Sequence, residues 1–253
     1  PPVVSMQTHE YTRGLQLDFR RPESSTKPVP CVITIHGGGW DSGDRKEMEF
    51  FNDWLVQEGY AVASVDYRLA PEYLWPSQRE DVWSALKWLQ THAGELGIDP
   101  TRFVLMGRSA GGQIASATAY TAADQSIRGV ISLYAPHDMP FVWSIARSDD
   151  ALNSEKLMRQ YLGGPPDTPE REARYLDASA HRNIEPLRPI PTLLMHGHLD
   201  TLVWCRHSER FAASLKEVGH PYAFVELPWA AHAFEYNLSG PSGQLTTYAV
   251  KRF

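Results

Sequence analysis

The apolar residues of this chain fall into short runs that alternate with stretches of helical period. Leu15-Gln16-Leu17-Asp18-Phe19 alternates apolar and polar residues, as a half-exposed strand does. Cys31-Val32-Ile33-Thr34-Ile35 and Ala61-Val62-Ala63-Ser64-Val65-Asp66-Tyr67 are nearly continuous and partly β-branched, which predicts strands buried on both faces. Between them Met48, Phe51, Trp54 and Leu55 recur on one helical face, and Gly59 supplies a stop. Val82, Ala85, Leu86 and Leu89 mark a second amphipathic helix. Ile98 to Arg102 reads as a turn before the run Phe103-Val104-Leu105, and the Ala-rich stretch from Gln113 to Tyr120 reads as a helix. Gly129 to Ala135, Thr192 to His196 and Tyr222 to Leu227 predict three further strands, with Phe211, Leu215 and Val218 on the helix between the last two. This alternation predicts an α/β domain whose mostly parallel sheet is covered by helices on both faces.

No repeat, low-complexity tract or linker divides residues 1–253, so one domain is expected. One segment, about 137–189, breaks the pattern. It has no strand signal but carries Trp143, Leu157, Tyr161 and several prolines. Apolar content of that kind argues against disorder and predicts a small helical cap over the carboxyl edge of the sheet.

Composition narrows the function. A hydrophobic content of 42%, a charged content of 21% and a net charge of -6 describe an ordinary globular protein with no basic footprint for nucleic acid or anionic membrane. No apolar run reaches the length of a membrane span, and no signal peptide is visible, so a soluble and cytoplasmic protein is favoured. The chain opens on Pro1-Pro2 rather than Met, which suggests a trimmed or processed form and leaves room for a targeting or anchor segment ahead of it. Cys31 and Cys205 sit in or beside apolar runs and read as free buried thiols.

The chemistry centres on Gly107-Arg108-Ser109-Ala110-Gly111-Gly112, between a predicted strand and a predicted helix. Gly-x-Ser-x-Gly in that context puts a serine on a sharp turn above the sheet. The Ala110 amide would open the helix, where N–H groups are unpaired and favour an anion. A serine needs a base, and the base needs an orienting acid. In the chain order Ser, acid, His, the best-placed base is His232, after the last strand. Asp200, after the penultimate strand, is the favoured acid, and Asp138, after the strand before it, is the rival. His36, His196 and His198 read as loop-shaping. A metal site on His196, His198 and Asp200 would lack a recognisable fourth ligand, so neither metal nor organic cofactor is expected. The glycines of His36-Gly37-Gly38-Gly39-Trp40 allow Gly38 and Gly39 to join Ala110 as oxyanion donors. That run lacks the spacing of a phosphate or dinucleotide loop.

Taken together, His36-Gly37-Gly38-Gly39-Trp40, Asp66-Tyr67-Arg68-Leu69-Ala70-Pro71-Glu72, Gly107 to Gly112, His196-Gly197-His198-Leu199-Asp200 and His232-Ala233-Phe234 resemble the α/β-hydrolase fold. More narrowly, they resemble the hormone-sensitive-lipase-like and BD-FAE-type carboxylesterases, in order from about residue 10 to 250. The resemblance implies Ser109 as nucleophile, His232 as base, Asp200 as acid, and Gly38, Gly39 and Ala110 as oxyanion donors. It assigns Glu72 and Asp66-Tyr67-Arg68 to structural support. Two departures stand out: little room for cap helices before residue 15, and a short last helix. The expected activity is hydrolysis of small or aryl esters with short acyl chains through an acyl-enzyme. Trp40, Trp75, Trp143, Trp204 and Trp229 are candidate pocket walls. The alternatives are an amidase or peptidase resembling kynurenine formamidases or prolyl peptidases, a feruloyl or acetyl-xylan esterase, and a non-catalytic binding protein on the same fold.

Overall fold

The computed structural model describes residues 5–253, so Pro1-Pro2 lies outside the described residues. Its centre is an eight-stranded sheet. In chain order the strands are β1 (Met6–Thr12), β2 (Leu15–Arg20), β3 (Val29–Ile35), β4 (Ala61–Val65), β5 (Ile98–Arg108), β6 (Ile127–Leu133), β7 (Thr192–Gly197) and β8 (Tyr222–Leu227). Across the sheet they run β1-β2-β4-β3-β5-β6-β7-β8. The β1–β2 and β2–β4 pairs are antiparallel, and every pair from β4–β3 to β7–β8 is parallel.

The helices are α1 (Glu49–Gln57), α2 (Ser77–Thr91), α3 (Ala93–Leu96), α4 (Ala110–Thr121), α5 (Met139–Ile145), α6 (Ser154–Leu162), α7 (Pro169–Asp177), α8 (Arg206–Glu217) and α9 (Pro241–Arg252). They divide the core in two. Cys31, Ile33 and Ile35 pack with Val82 and Leu86 of α2, Ile114 of α4 and Phe211 of α8. Val32, Val62, Met106 and Ile131 pack with Phe51 and Leu55 of α1 and Val250 of α9. Alternate residues of β3 thus serve opposite faces, which is why its sequence is continuously apolar rather than alternating.

Segment 137–189 forms α5, α6, α7 and a 3-10 turn at Ala180–Arg182, with no strand. Asp138, Asn153 and Thr168 cap its helices by accepting from Phe141, Lys156 and Arg171 amides. Buried Met158, Tyr161, Leu162 and Tyr175 attach the segment to the α2–α4–α8 side of the core.

Several boundaries differ from the sequence expectation. β1 carries no apolar alternation because only Tyr11 of its side chains is buried. Ile98 to Arg102 is the start of β5 rather than a turn, since Ile98 pairs with Val29. β4 and β6 stop at Val65 and Leu133, before buried Tyr67 and Tyr134, which pack from loops. The last helix is not short: α9 has 12 residues, as α4 does. Both cysteines are free and buried. Among the described residues no helix is long and apolar enough to cross a membrane.

Candidate active site

Ser109 stands between β5 and α4 with φ 51°, a left-handed conformation rare for serine. Neighbouring backbone holds it there. Its amide donates to Leu133 O at 2.9 Å, and its carbonyl accepts from Gly112 N at 3.0 Å. The flanking glycines are required by contact: a Cβ at Gly107 would strike the Gly111 carbonyl, and one at Gly111 would strike the carbonyls of Ile35 and His36. The β5–α4 turn can therefore nest against the end of β3 only without those side chains.

The chain leaves β3 through His36 to Trp40, turning at Gly38 (φ 98°) and Gly39 (φ 59°). His36 is structural, as expected. Its ring stacks on Tyr67 at 4.2 Å, and Nδ1 donates to the Gly37 carbonyl at 2.8 Å. Burial lowers its pKa and keeps it neutral. The Tyr67 hydroxyl reaches the His36 and Gly37 carbonyls, both at 3.1 Å. Among the described residues the N–H groups of Gly38, Gly39 and Ala110 donate to no acceptor. Three amides in these two adjoining turns are thus left unspent.

Asp200 and His232 come from the exits of β7 and β8. A Cβ at Gly197 would collide with the Ala230 carbonyl, so glycine lets the two loops touch. His232 Nδ1 donates to Asp200 Oδ2 at 2.6 Å, and the Ser109 hydroxyl lies 3.1 Å from His232 Nε2. A carboxylate on Nδ1 fixes the proton there, which leaves the Nε2 lone pair to accept from Ser109. Asp200 Oδ1 accepts from Leu202 N and Val203 N, each at 2.9 Å. Burial opposes its charge, but hydrogen bonds from His196, His232 and the Val203 amide outweigh that and hold the carboxyl below the usual range.

Asp138, the rival acid, is engaged elsewhere. It caps α5 and pairs with Arg210 at 2.7 Å. His196 is fully buried and bonded to Ser208 and the Val203 carbonyl, whereas His198 is exposed and paired with Glu226. Asp66 and Arg68 are supports, through Arg45 at 2.7 Å and Asp81 at 2.8 Å. Glu72, by contrast, is exposed and makes no bond among the described residues, so the support role assigned to it fails.

The tryptophans split. Trp40 and Trp204 line a cavity of about 130 Å³ between α5, α6 and the loop after β7. Trp75 does not: its exposure is 1%, and its Nε1 donates to Asp177 at 2.7 Å, so it is core. Trp143 packs against Tyr175 and under the Arg159 guanidinium, away from the cavity. Trp229 is exposed and bonds Ser242. Ser109 and His232 do not themselves line the cavity. It adjoins them through Trp40, next to Gly39, and through Thr201 to Val203, next to Asp200.

Several polar residues escape a reading of the sequence. Gln113, 1% exposed, accepts from Trp40 Nε1 at 2.9 Å and from the Tyr161 hydroxyl at 2.8 Å, and donates to the Ala178 carbonyl at 2.7 Å. Its signal was a lone amide one turn beyond Ser109 in an Ala-rich helix. His207 is a buried histidine in the cavity wall. Arg108, Tyr134 and Glu235 form a buried cluster behind His232. No sequence pattern announces a cluster assembled from three separate strand exits.

The fold and its motifs have relatives. The chain is 30% identical to the probable carboxylic ester hydrolase LipM of Mycobacterium tuberculosis over 96% of its own length and 58% of that protein. It is 26% identical to the esterase LipC of the same organism over 93% of its length and 60% of LipC. The chain thus spans about three fifths of these curated relatives. Among solved structures it superposes on a bacterial heroin esterase with TM-score 0.85 at 26% identity, covering 98% of this chain and 84% of the other. A Pyrobaculum calidifontis esterase gives 0.83 at 26% identity, covering 99% and 83%. The architecture is therefore that of the α/β-hydrolases. The BD-FAE family model matches residues 17–215, a span that takes in the glycine-rich turn, the serine turn and Asp200, and the chain belongs to the BD-FAE family.

Proposed function

We propose that the chain is a serine carboxylesterase acting on small or aryl esters with short acyl chains. Ser109 Oγ attacks the ester carbonyl while His232 Nε2 takes its proton, and Asp200 stabilises the imidazolium that forms. The amides of Gly38, Gly39 and Ala110 receive the oxyanion. His232 then returns the proton to the leaving alkoxide, which yields an acyl-enzyme and free alcohol. Water, deprotonated by His232, attacks the acyl carbon and releases the acid and Ser109. The carrying observation is the unbroken line Asp200–His232–Ser109, at 2.6 and 3.1 Å, beside three unspent amides. The ester hydrolase names of the relatives support the reaction class.

Cavity size supports the substrate class. A void of about 150 Å³ lined by apolar side chains admits benzene. The cavity of about 130 Å³ here suits a ring or a short alkyl chain. In this reading segment 137–189 is a cap whose α5 and α6 wall the substrate.

The test is a chain-length panel of p-nitrophenyl esters on the wild type, Ser109→Ala and His232→Ala, with fluorophosphonate labelling. The wild type should turn over acetate to butyrate esters fastest and label covalently. Both variants should lose nearly all turnover, and Ser109→Ala should lose the label. Turnover retained in Ser109→Ala would refute the proposal.

A further inference from the structure

Behind the imidazole of His232 lies a buried ionic cluster that the reaction scheme does not use. Tyr134, just past β6, meets the His232 ring edge to face at 4.5 Å and Phe234 at 5.1 Å. Its hydroxyl, at the far end of the ring, donates to Glu235 Oε1 at 2.5 Å. The same oxygen lies 3.5 Å from Arg108 Nη1. Arg108 immediately precedes Ser109 in the chain, and Glu235 lies three residues beyond His232. The side chains of Arg108 and Glu235 are only 5% and 1% exposed. Arg108 is in turn anchored from outside, by Glu47 at 2.8 Å and the Tyr236 hydroxyl at 3.0 Å.

Charges buried this deeply are poor devices for stability alone, because apolar side chains of similar volume often serve as well or better. What an ion pair adds is direction. Here the direction is specific: one carboxylate oxygen receives the Tyr134 hydroxyl and faces the Arg108 guanidinium. The first carries the ring on which His232 rests. The second belongs to the turn that carries Ser109. Glu235 therefore couples the exits of β5, β6 and β8 through a single atom.

We propose that Arg108, Tyr134 and Glu235 are positioning residues, an internal brace that sets His232 against Ser109. The proposal rests on the esterase reading above. None of the three touches substrate; they act through the imidazole. Loss of the brace lets the ring drift from the hydroxyl, and a displacement near 1 Å costs about 100-fold in rate. Substrate binding is made elsewhere, so KM should hold.

The experiment compares Tyr134→Phe and Glu235→Gln with the wild type on p-nitrophenyl acetate, in both native and His232→Ala backgrounds. Thermal melts report folding. Tyr134→Phe deletes one hydroxyl and keeps the ring; Glu235→Gln keeps the shape and removes the charge. The expected result is a kcat lower by about 10- to 100-fold in each, with KM within about twofold. In the His232→Ala background the same changes should alter residual turnover less than about twofold, because the residue they serve is gone. Wild-type kcat in both variants overturns the proposal. So does an equal loss in both backgrounds, or a loss confined to KM. If Glu235→Gln fails to fold, Tyr134→Phe decides alone. His232→Ala also separates this proposal from the esterase reading: full turnover in that variant refutes the reading itself, whereas inactive His232→Ala beside unimpaired Tyr134→Phe refutes only the brace.

Discussion

Replacing Gln113 with Leu should be among the more damaging single changes outside the Ser109–His232–Asp200 line. Leucine nearly matches glutamine in volume, so the perturbation is loss of hydrogen bonding. Three partners are orphaned in a dry interior: the Trp40 indole N–H, the Tyr161 hydroxyl and the Ala178 carbonyl. Trp40 and Tyr161 stack at 4.4 Å and are 5% and 0% exposed, so neither can turn to water without breaking that stack. An orphaned buried polar group costs about 1–3 kcal/mol, and three together about 3–9. Burying the apolar replacement returns about 2 kcal/mol, and local relaxation lowers the upper bound. The expected destabilisation is about 1–5 kcal/mol, a sizeable part of a total of about 5–15. Urea unfolding followed by tryptophan fluorescence measures it, with a lower midpoint at unchanged slope. A loss below about 1 kcal/mol would refute the view that this amide ties α4 to Trp40, α6 and the end of α7.

Three further outcomes are expected. Asp200→Asn should lower kcat by about 10³–10⁴-fold through the wrong imidazole tautomer, while Asp138→Asn, which weakens a cap and a buried pair, should lower the melting temperature and leave kcat nearly intact; steady-state kinetics giving the reverse order would move the acid to residue 138. Burial, and then the like charge of His196, pushes His207 down to about 3, against about 6.5 in the unfolded chain. Between those values the unfolded state holds the extra proton, so this contribution is complete above about pH 6.5 and declines as pH falls, by about 1.4 kcal/mol per unit; His207→Phe should flatten urea-derived stability between pH 6.5 and 4, and an unchanged slope would contradict it. Leu157 lines the cavity and lies 3.2 Å from where a Cβ on Gly39 would stand, so Leu157→Ala should shift the p-nitrophenyl ester optimum to longer acyl chains, and an unchanged profile would place the acyl group elsewhere.

The parts legible in the sequence are those whose determinants are local. β3, β5, β6 and β7 announce themselves because burial on both faces demands unbroken apolar runs. Ser109 and Asp200 were legible because each follows such a run, and His232 because it follows β8, a largely exposed edge strand whose residues still read as a strand; the carboxyl ends of neighbouring parallel strands share one edge. β1 was not legible: an antiparallel edge strand with one buried side chain satisfies its backbone without an apolar pattern. The tryptophans were ambiguous for a different reason. Trp40 and Trp75 are both buried, and what separates them is the partner of each indole N–H, Gln113 for one and Asp177 for the other. Those partners lie 73 and 102 residues away. Arg108, Glu47 and Glu235 would each read as surface charge, and only the fold makes them a pair and a half.

The same edge explains why strain can be afforded where it is. Among the described residues five non-glycines have positive φ: Trp40, Ser109, Tyr134, Asn153 and Ala233. Ser109 is one side of the Ser109–His232 contact, and Tyr134 and Ala233 adjoin the other. Such conformations cost about 1–3 kcal/mol each and persist only where the surroundings over-determine them. Here the sheet does so. Its hydrogen-bond ladder continues one step past the strands, with Ser109 N bonded to Leu133 O, Tyr134 N to Met195 O and His198 N to Leu227 O. The exits of β5, β6 and β7 are thereby each pinned to the next strand. The spacing of Ser109 and the loop that holds Asp200 is then a consequence of strand register more than of loop preference. A hydroxyl held by register needs no reorganisation when charge develops beside it, which is the condition under which fixed amides lower a barrier most.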